Sequence, residues 1–190
     1  MKKLFLVLCS VLTFSANAQE LTGCMGISFG ESKEKVRSAM DAKPGFEFNK
    51  EVPGVGFSYL NGTFAGRDCI GAVFQFHNNQ LHTFKVLVNV ETQSAVMDLY
   101  YSIVAELKEK YGVTPEYFHK YRYPYAANDG HTVTAIKLGY ADIECLFTFP
   151  DSRYISVAVT KSISINLTYQ DGVLAAPALN EVDQTNKKDY

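Results

Sequence analysis

Four histidines, three cysteines beyond residue 18, two acidic side chains on one extended segment and a row of tyrosines are the residues whose chemistry could make a site. His77 and His82 flank a polar turn, so their rings can approach each other. A metal there would need a third ligand, and none stands nearby in the sequence. His119 and His131 are isolated. Asp142 and Glu144 fall on one face of an extended segment and are expected at solvent. Ser32 beside Lys33 has the types of a Ser–Lys nucleophile but fits a helix cap better. The motifs G-x-S-x-G, G-x-G-x-x-G and G-x-x-x-x-G-K-[ST] do not occur. The expectation is a non-enzymatic protein with no catalytic residue, no metal site and no cofactor.

Tyr117, Tyr121, Tyr123 and Tyr125 are the most suggestive group, interleaved with Lys120 and Arg122. Alternation in an extended chain puts such rings on one side. Tyr and Arg are the types that anchor protein contacts, and rings also stack on sugars. Tyr117, Tyr121, Arg122, Tyr123 and Tyr125 are therefore the candidate binding residues. The competing reading is a strand that packs its rings under a loop or tail.

The elements that would hold these residues follow from hydrophobic spacing. A first helix is capped by Ser32, carries Glu34 in its first turn, presents Val36, Ala39 and Met40 on one face, and stops at Pro44-Gly45. Val55, Phe57 and Tyr59 alternate up to Asn61-Gly62, which reads as a two-residue hairpin turn. Ile70, Ala72, Phe74 and Phe76 alternate toward one face, and His82, Phe84, Val86, Val88 and Val90 return on it after a polar turn. A second helix is predicted over residues 93–111, with Thr92 as its cap and an apolar stripe of Val96, Leu99, Tyr100, Ile103, Leu107 and Tyr111. Strands are predicted over 117–123, 131–138, 143–149 and 154–161, and a loose tail over 171–190.

Residues 73–81 and 146–154 share a pattern of apolar, Phe, polar, Phe, then a polar turn and a strand, offset by about 73 residues. The predicted fold is α+β: an antiparallel sheet with two helices packed on one face, built from two similar halves near residues 26–90 and 92–165. The other face would be partly open for a protein partner, with glycan or lipid binding as the rival and a hydrolase with an unfamiliar site behind both.

Compartment is read from the N-terminus. Lys2 and Lys3 precede an apolar run over 4–14, and Ala16-Asn17-Ala18 is a small-x-small cleavage site, so residues 1–18 read as a secretory signal cut after Ala18. The run is too short to cross a membrane. Leu21-Thr22-Gly23-Cys24 resembles a lipobox, but the polar stretch 15–20 separates it from the apolar run, so a lipid anchor at Cys24 is not preferred. The expected location is periplasmic or secreted. About 172 residues of 190 remain after cleavage, one domain over 19–170 plus the tail, and loss of two lysines takes the net charge from −2 to −4. A mildly acidic chain without a basic run is a poor nucleic-acid ligand. Among Cys24, Cys69 and Cys145, an oxidising compartment allows one disulfide. Alternation turns Cys145 inward and Cys69 to the opposite face, which favours Cys24–Cys69.

The run Gly26-Ile27-Ser28-Phe29-Gly30-Glu31-Ser32-Lys33-Glu34-Lys35-Val36 resembles the G-x-x-x-G-x-S/T-x-x-x-V opening of the first helix in periplasmic domains of the BamE/SmpA–OmlA type. Their tandem relatives resemble the β-lactamase-inhibitor-protein fold. The resemblance implies protein binding without catalysis at the cell envelope. The chain departs from the family in lacking a Gly-rich approach to its second helix and, with the preferred cleavage, a lipid anchor.

Overall fold

A computed structural model describes residues 19–188; the expected signal segment lies outside the described residues. A two-stranded hairpin, β1 (Gly23–Cys24) and β2 (Ile27–Ser28), leads into α1 (Lys33–Asp41). Then come β3 (Phe46–Val52), β4 (Gly56–Asn61), the short β5 (Thr63–Phe64), β6 (Arg67–His77) and β7 (Gln80–Val88). A 3-10 turn opens α2 (Val96–Tyr111), followed by β8 (Glu116–Tyr121), α3 (Thr132–Leu138), β9 (Ala141–Thr148), β10 (Arg153–Val159), β11 (Ile165–Asp171) and α4 (Gly172–Lys188). The large strands form one antiparallel sheet in the order β3-β4-β6-β7-β11-β10-β9-β8, with β5 paired to β6. Strands β7 and β11 meet in the middle, and β3 and β8 are the two edges.

One face of this sheet is sealed. Tyr59, Phe74, Phe84, Val86, Leu167, Val157, Cys145 and Phe147 point to it and are buried against Val36 and Met40 of α1, Tyr100, Ile103 and Leu107 of α2, and Ala135 and Ile136 of α3. Each large apolar side chain taken fully from water contributes about 1.5–3 kcal/mol. Ser32 caps α1 through the Lys35 amide, and Gly112 ends α2 in the left-handed region. Tyr59 ties α1 to the sheet by donating its hydroxyl to Asp41 Oδ1 at 2.5 Å. Leu21 is fully buried in this core, and Glu20 pairs with Arg153 at 2.8 Å. The packed body therefore includes the chain from Glu20 onward.

Two bulges reset the alternation that the sequence suggested. Cys69 opposes Val88 and Gly71 opposes Leu87, so Ile70 is an extra residue on β6. Ile70 turns out to solvent, and Cys69 turns inward with Ala72 rather than to the opposite face. Across the same hairpin, Gln75 opposes Thr83 and Phe76 opposes Leu81, which makes His82 the extra residue on β7 and sends Leu81, not His82, into the core. The Asn61-Gly62 pair is likewise not the hairpin turn. Both residues have positive φ within the path from β4 to β5, the Cys69 amide bonds to the Gly62 carbonyl, and the chain reverses at Ala65-Gly66.

Four helices, rather than two, are present among the described residues. The segment expected as a strand over 131–138 is α3: burial of Ala135 and Ile136 over β9 outweighs the β-branched run Thr132-Val133-Thr134, and Gly139 caps the helix at φ +78°. The tail expected to be loose from residue 171 is α4. Asp171 caps it by accepting from the Leu174 amide at 3.0 Å and is itself held by Arg153 at 2.9 Å. Pro177 removes only the amide that would have bonded to the Val173 carbonyl, so the helix continues through it. A further strand, β11, follows the last expected one at 154–161 and carries the sheet to Asp171.

Candidate binding surface

The unsealed face carries the alternate residues. On β4, β6 and β7 these are Leu60, Val73, Lys85 and Leu87; on β11, β10 and β9 they are Thr168, Asn166, Ser156, Ala158, Glu144 and Leu146. Leu60 and Val73, with the bulged Ile70, are exposed large hydrophobics on the outer side. Near the middle, Ser156 and Thr168 are buried although they point away from the core, and the Ser156 hydroxyl donates to Glu144 Oε1 at 2.5 Å. Asp142, on the same face as Glu144, accepts from Arg122 at 2.5 Å. The two carboxylates thus serve separate partners rather than acting as a pair.

Helix α4 crosses part of this face. Ala175, Ala178 and Leu179 share a cleft of about 570 Å³ with Val55, Gln75, His77, His82, Thr83 and Gln170. Both hairpin histidines therefore lie under α4. His77 Nδ1 is 3.9 Å from Glu181, and His82 Nδ1 is 2.8 Å from Thr83 Oγ1. Burial, then the neighbouring His77, holds the His82 pKa below the ordinary histidine value. No cluster of three or more potential metal ligands exists among the described residues.

The five tyrosine-row candidates are not one row. Tyr117 and Tyr121 share the helix-bearing face at the outermost strand, β8. Tyr121 is half-buried and its hydroxyl lies 3.1 Å from Thr132 Oγ1. The strand ends there, and alternation ends with it. Arg122 spans to the Gly139 carbonyl and Asp142, Tyr123 is 92% exposed, and Tyr125 packs on Tyr140 and His131. The ring cluster that does form was not read from the sequence: Tyr117, His119, Tyr100 and Tyr101, from β8 and α2. The Tyr100 hydroxyl lies 3.2 Å from His119 Nε2, whose pKa is lowered by desolvation. The i, i+1 pair Tyr100-Tyr101 on a helix straddling buried and exposed sides was the available signal.

The expected Cys24–Cys69 bridge is absent; Cys24, Cys69 and Cys145 are free thiols. Cys24 lies against Tyr169, while the inward turn of Cys69 places its Sγ 3.7 Å from the Arg67 carbonyl. Desolvation pushes the Cys24 thiol up to about 12 and those of Cys69 and Cys145 to about 11. Such thiols stay protonated at neutral pH and are poor nucleophiles and poor metal ligands.

No protein-family model, no curated protein and no solved structure matches this chain.

Proposed function

We propose that this chain is an exported, non-catalytic binding module that engages a protein partner through the unsealed face of its sheet. The carrying observation is the asymmetry of that sheet: three helices bury one face, while the other is crossed only in part by α4 and presents Leu60, Ile70 and Val73 together at its surface. Exposed apolar groups gathered on one face mark contact sites more often than scattered ones do. Export rests on the signal-like N-terminus. Cleavage after Ala18 keeps Leu21 and Glu20, whereas lipobox cleavage before Cys24 would strip a fully buried core residue and the Glu20–Arg153 pair. An internal duplication belongs to the same reading. Each of α1 and α2 precedes a four-stranded meander, and β7 and β11 join the meanders at the centre. On that reading β6–β7 corresponds to β10–β11, not to the β9–β10 hairpin suggested by the 73-residue offset. The likeness to BamE-type domains is retained as part of the proposal. In this chain Gly26 and Gly30, at φ +75° and +80°, shape the approach to the Ser32 cap.

A photo-crosslinking residue at position 73, in cells, tests the reading. It should yield one discrete adduct with an envelope protein, and Leu60→Glu with Ile70→Glu should abolish it without altering the melting temperature. No adduct at position 73, or an adduct insensitive to those charges, overturns it. The cleft under α4 supports a second reading, a small apolar ligand, because its size falls in the usual range of about 300–1,000 Å³ for ligand sites. Native mass spectrometry of the purified protein would show that ligand as a retained mass lost in Ala178→Trp.

A further inference from the structure

We propose that β8 is a self-complementary edge through which two copies of this chain join their sheets. All of Glu116, Tyr117, Phe118, His119 and Lys120 are exposed, and β8 is the last strand in the sheet. The Arg122 amide donates to Tyr140 on the β9 side at 2.7 Å. Backbone groups of alternate residues point the same way in an antiparallel ladder. The even residues of β8 therefore bond to β9, and Tyr117 and His119 direct their N–H and C=O groups outward.

That parity restricts how a second β8 can dock. Outward residues must face outward residues, so the antiparallel two-fold axis falls on a residue of the strand itself. An axis at Phe118 sets Tyr117 of each copy against His119 of the other, exchanging both N–H and C=O bonds. It also sets Glu116 of each copy opposite Lys120 of the other, on the unsealed face, with the two Phe118 rings side by side between them. Moving the axis to Tyr117 or His119 loses the Glu–Lys match. Glu116 and Lys120 make no ion pair, and Phe118 no ring contact, among the described residues. The row Glu-aromatic-Lys is thus complementary to itself and forms no ion pair within one copy, Asp142 opposite Lys120 being paired with Arg122. Opposite charges and aromatic pairs across strands each add modest stabilisation, and like charges directly opposite subtract it.

Sedimentation equilibrium of the protein, as processed and purified from its cell, tests this. A dimer is expected. Glu116→Lys or Lys120→Glu alone should weaken it about tenfold, since each places like charges opposite twice, and the double swap should restore it. In Phe118→Cys the paired Cα atoms would lie about 4.5 Å apart, within disulfide reach, so mild oxidation should link two copies while Tyr123→Cys should not. A monomer at every concentration, a dimer indifferent to the swaps, or a cross-link from position 118 to a different protein overturns the proposal.

Discussion

The two edges of the sheet are built differently. At β3 the register slips between Phe48 and Lys50, leaving Asn49 as a bulge. Its side chains are also engaged within the chain: Phe48 packs edge-on against Tyr59 and lies 3.6 Å under the Arg37 guanidinium, and Glu51 pairs with Lys33. Bulges and charges are the usual means of stopping an edge from recruiting another strand. At β8 the register runs unbroken from Glu116 to Tyr121, and Glu116 and Lys120 form no ion pair among the described residues, Asp142 opposite Lys120 being taken by Arg122. One edge is bulged, charged and tied to α1 through its side chains; the other is left regular and aromatic. That difference between the edges is what the proposed β8 contact rests on.

The largest test of that contrast lies at Gly62. It sits at φ +90°, and a Cβ there would come within 2.6 Å of several atoms of the Phe46 ring, which belongs to β3. Gly62→Ala should cost about 3 kcal/mol in urea unfolding, combining backbone strain with displacement of that ring. The matching change at the other edge, Phe118→Ala, should alter monomer stability by no more than about 0.5 kcal/mol, because the ring is exposed. Equal costs would show that β8 is bound into its own fold as firmly as β3.

Acidification sharpens the comparison further. His82, in the central hairpin, and His119, at the bare edge, both have lowered pKa values caused first by desolvation. The folded chain therefore refuses protons that the unfolded chain accepts as pH falls through the ordinary value of 6.5. Stability is whole above that value and declines as pH drops toward the lowered folded values. The melting temperature should fall on going from about pH 7 to about pH 5. His82→Gln should remove more of that fall than His119→Gln, since His82 is buried under α4 while only the Nε2 end of His119 is covered by Tyr100. A larger effect from His119 would mean that the β8 edge is covered in solution even in the monomer.

Much of the scaffold was legible because hydrophobic period is a local signal. The cap at Ser32, the stripe on α2, and the alternation at Phe74 and Phe76 needed no tertiary information. What escaped was set by parity and by distant packing. A single extra residue at Ile70 and another at His82 reversed the facing of their neighbours, and nothing in the composition marks a bulge. The helical state of 132–138 is imposed by β9 against the preference of its β-branched residues. Helix α4 hid behind Pro177 and a polar sequence, and its start depends on Asp171, whose partner Arg153 is held in turn by Glu20 from the far end of the chain. The tyrosine row failed in geometry: it assumed an extended chain beyond Tyr121, where the strand stops.

The smallest expected effect asks which safeguard closes β3. Replacing Glu47, Lys50 and Glu51 together by Thr removes its exposed charges, including the Lys33–Glu51 pair, yet should lower stability by only about 1 kcal/mol or less because these groups are largely in water. If the bulge at Asn49 is the main barrier, the triple variant shows only a trace of species larger than those formed by the unaltered protein, visible at the top of a light-scattering concentration series. Open-ended association would mean that charge alone had been holding β3 apart. The difference between the edges would then be one of side-chain chemistry, not backbone form, and Lys placed at 118 should close β8 as effectively as any bulge.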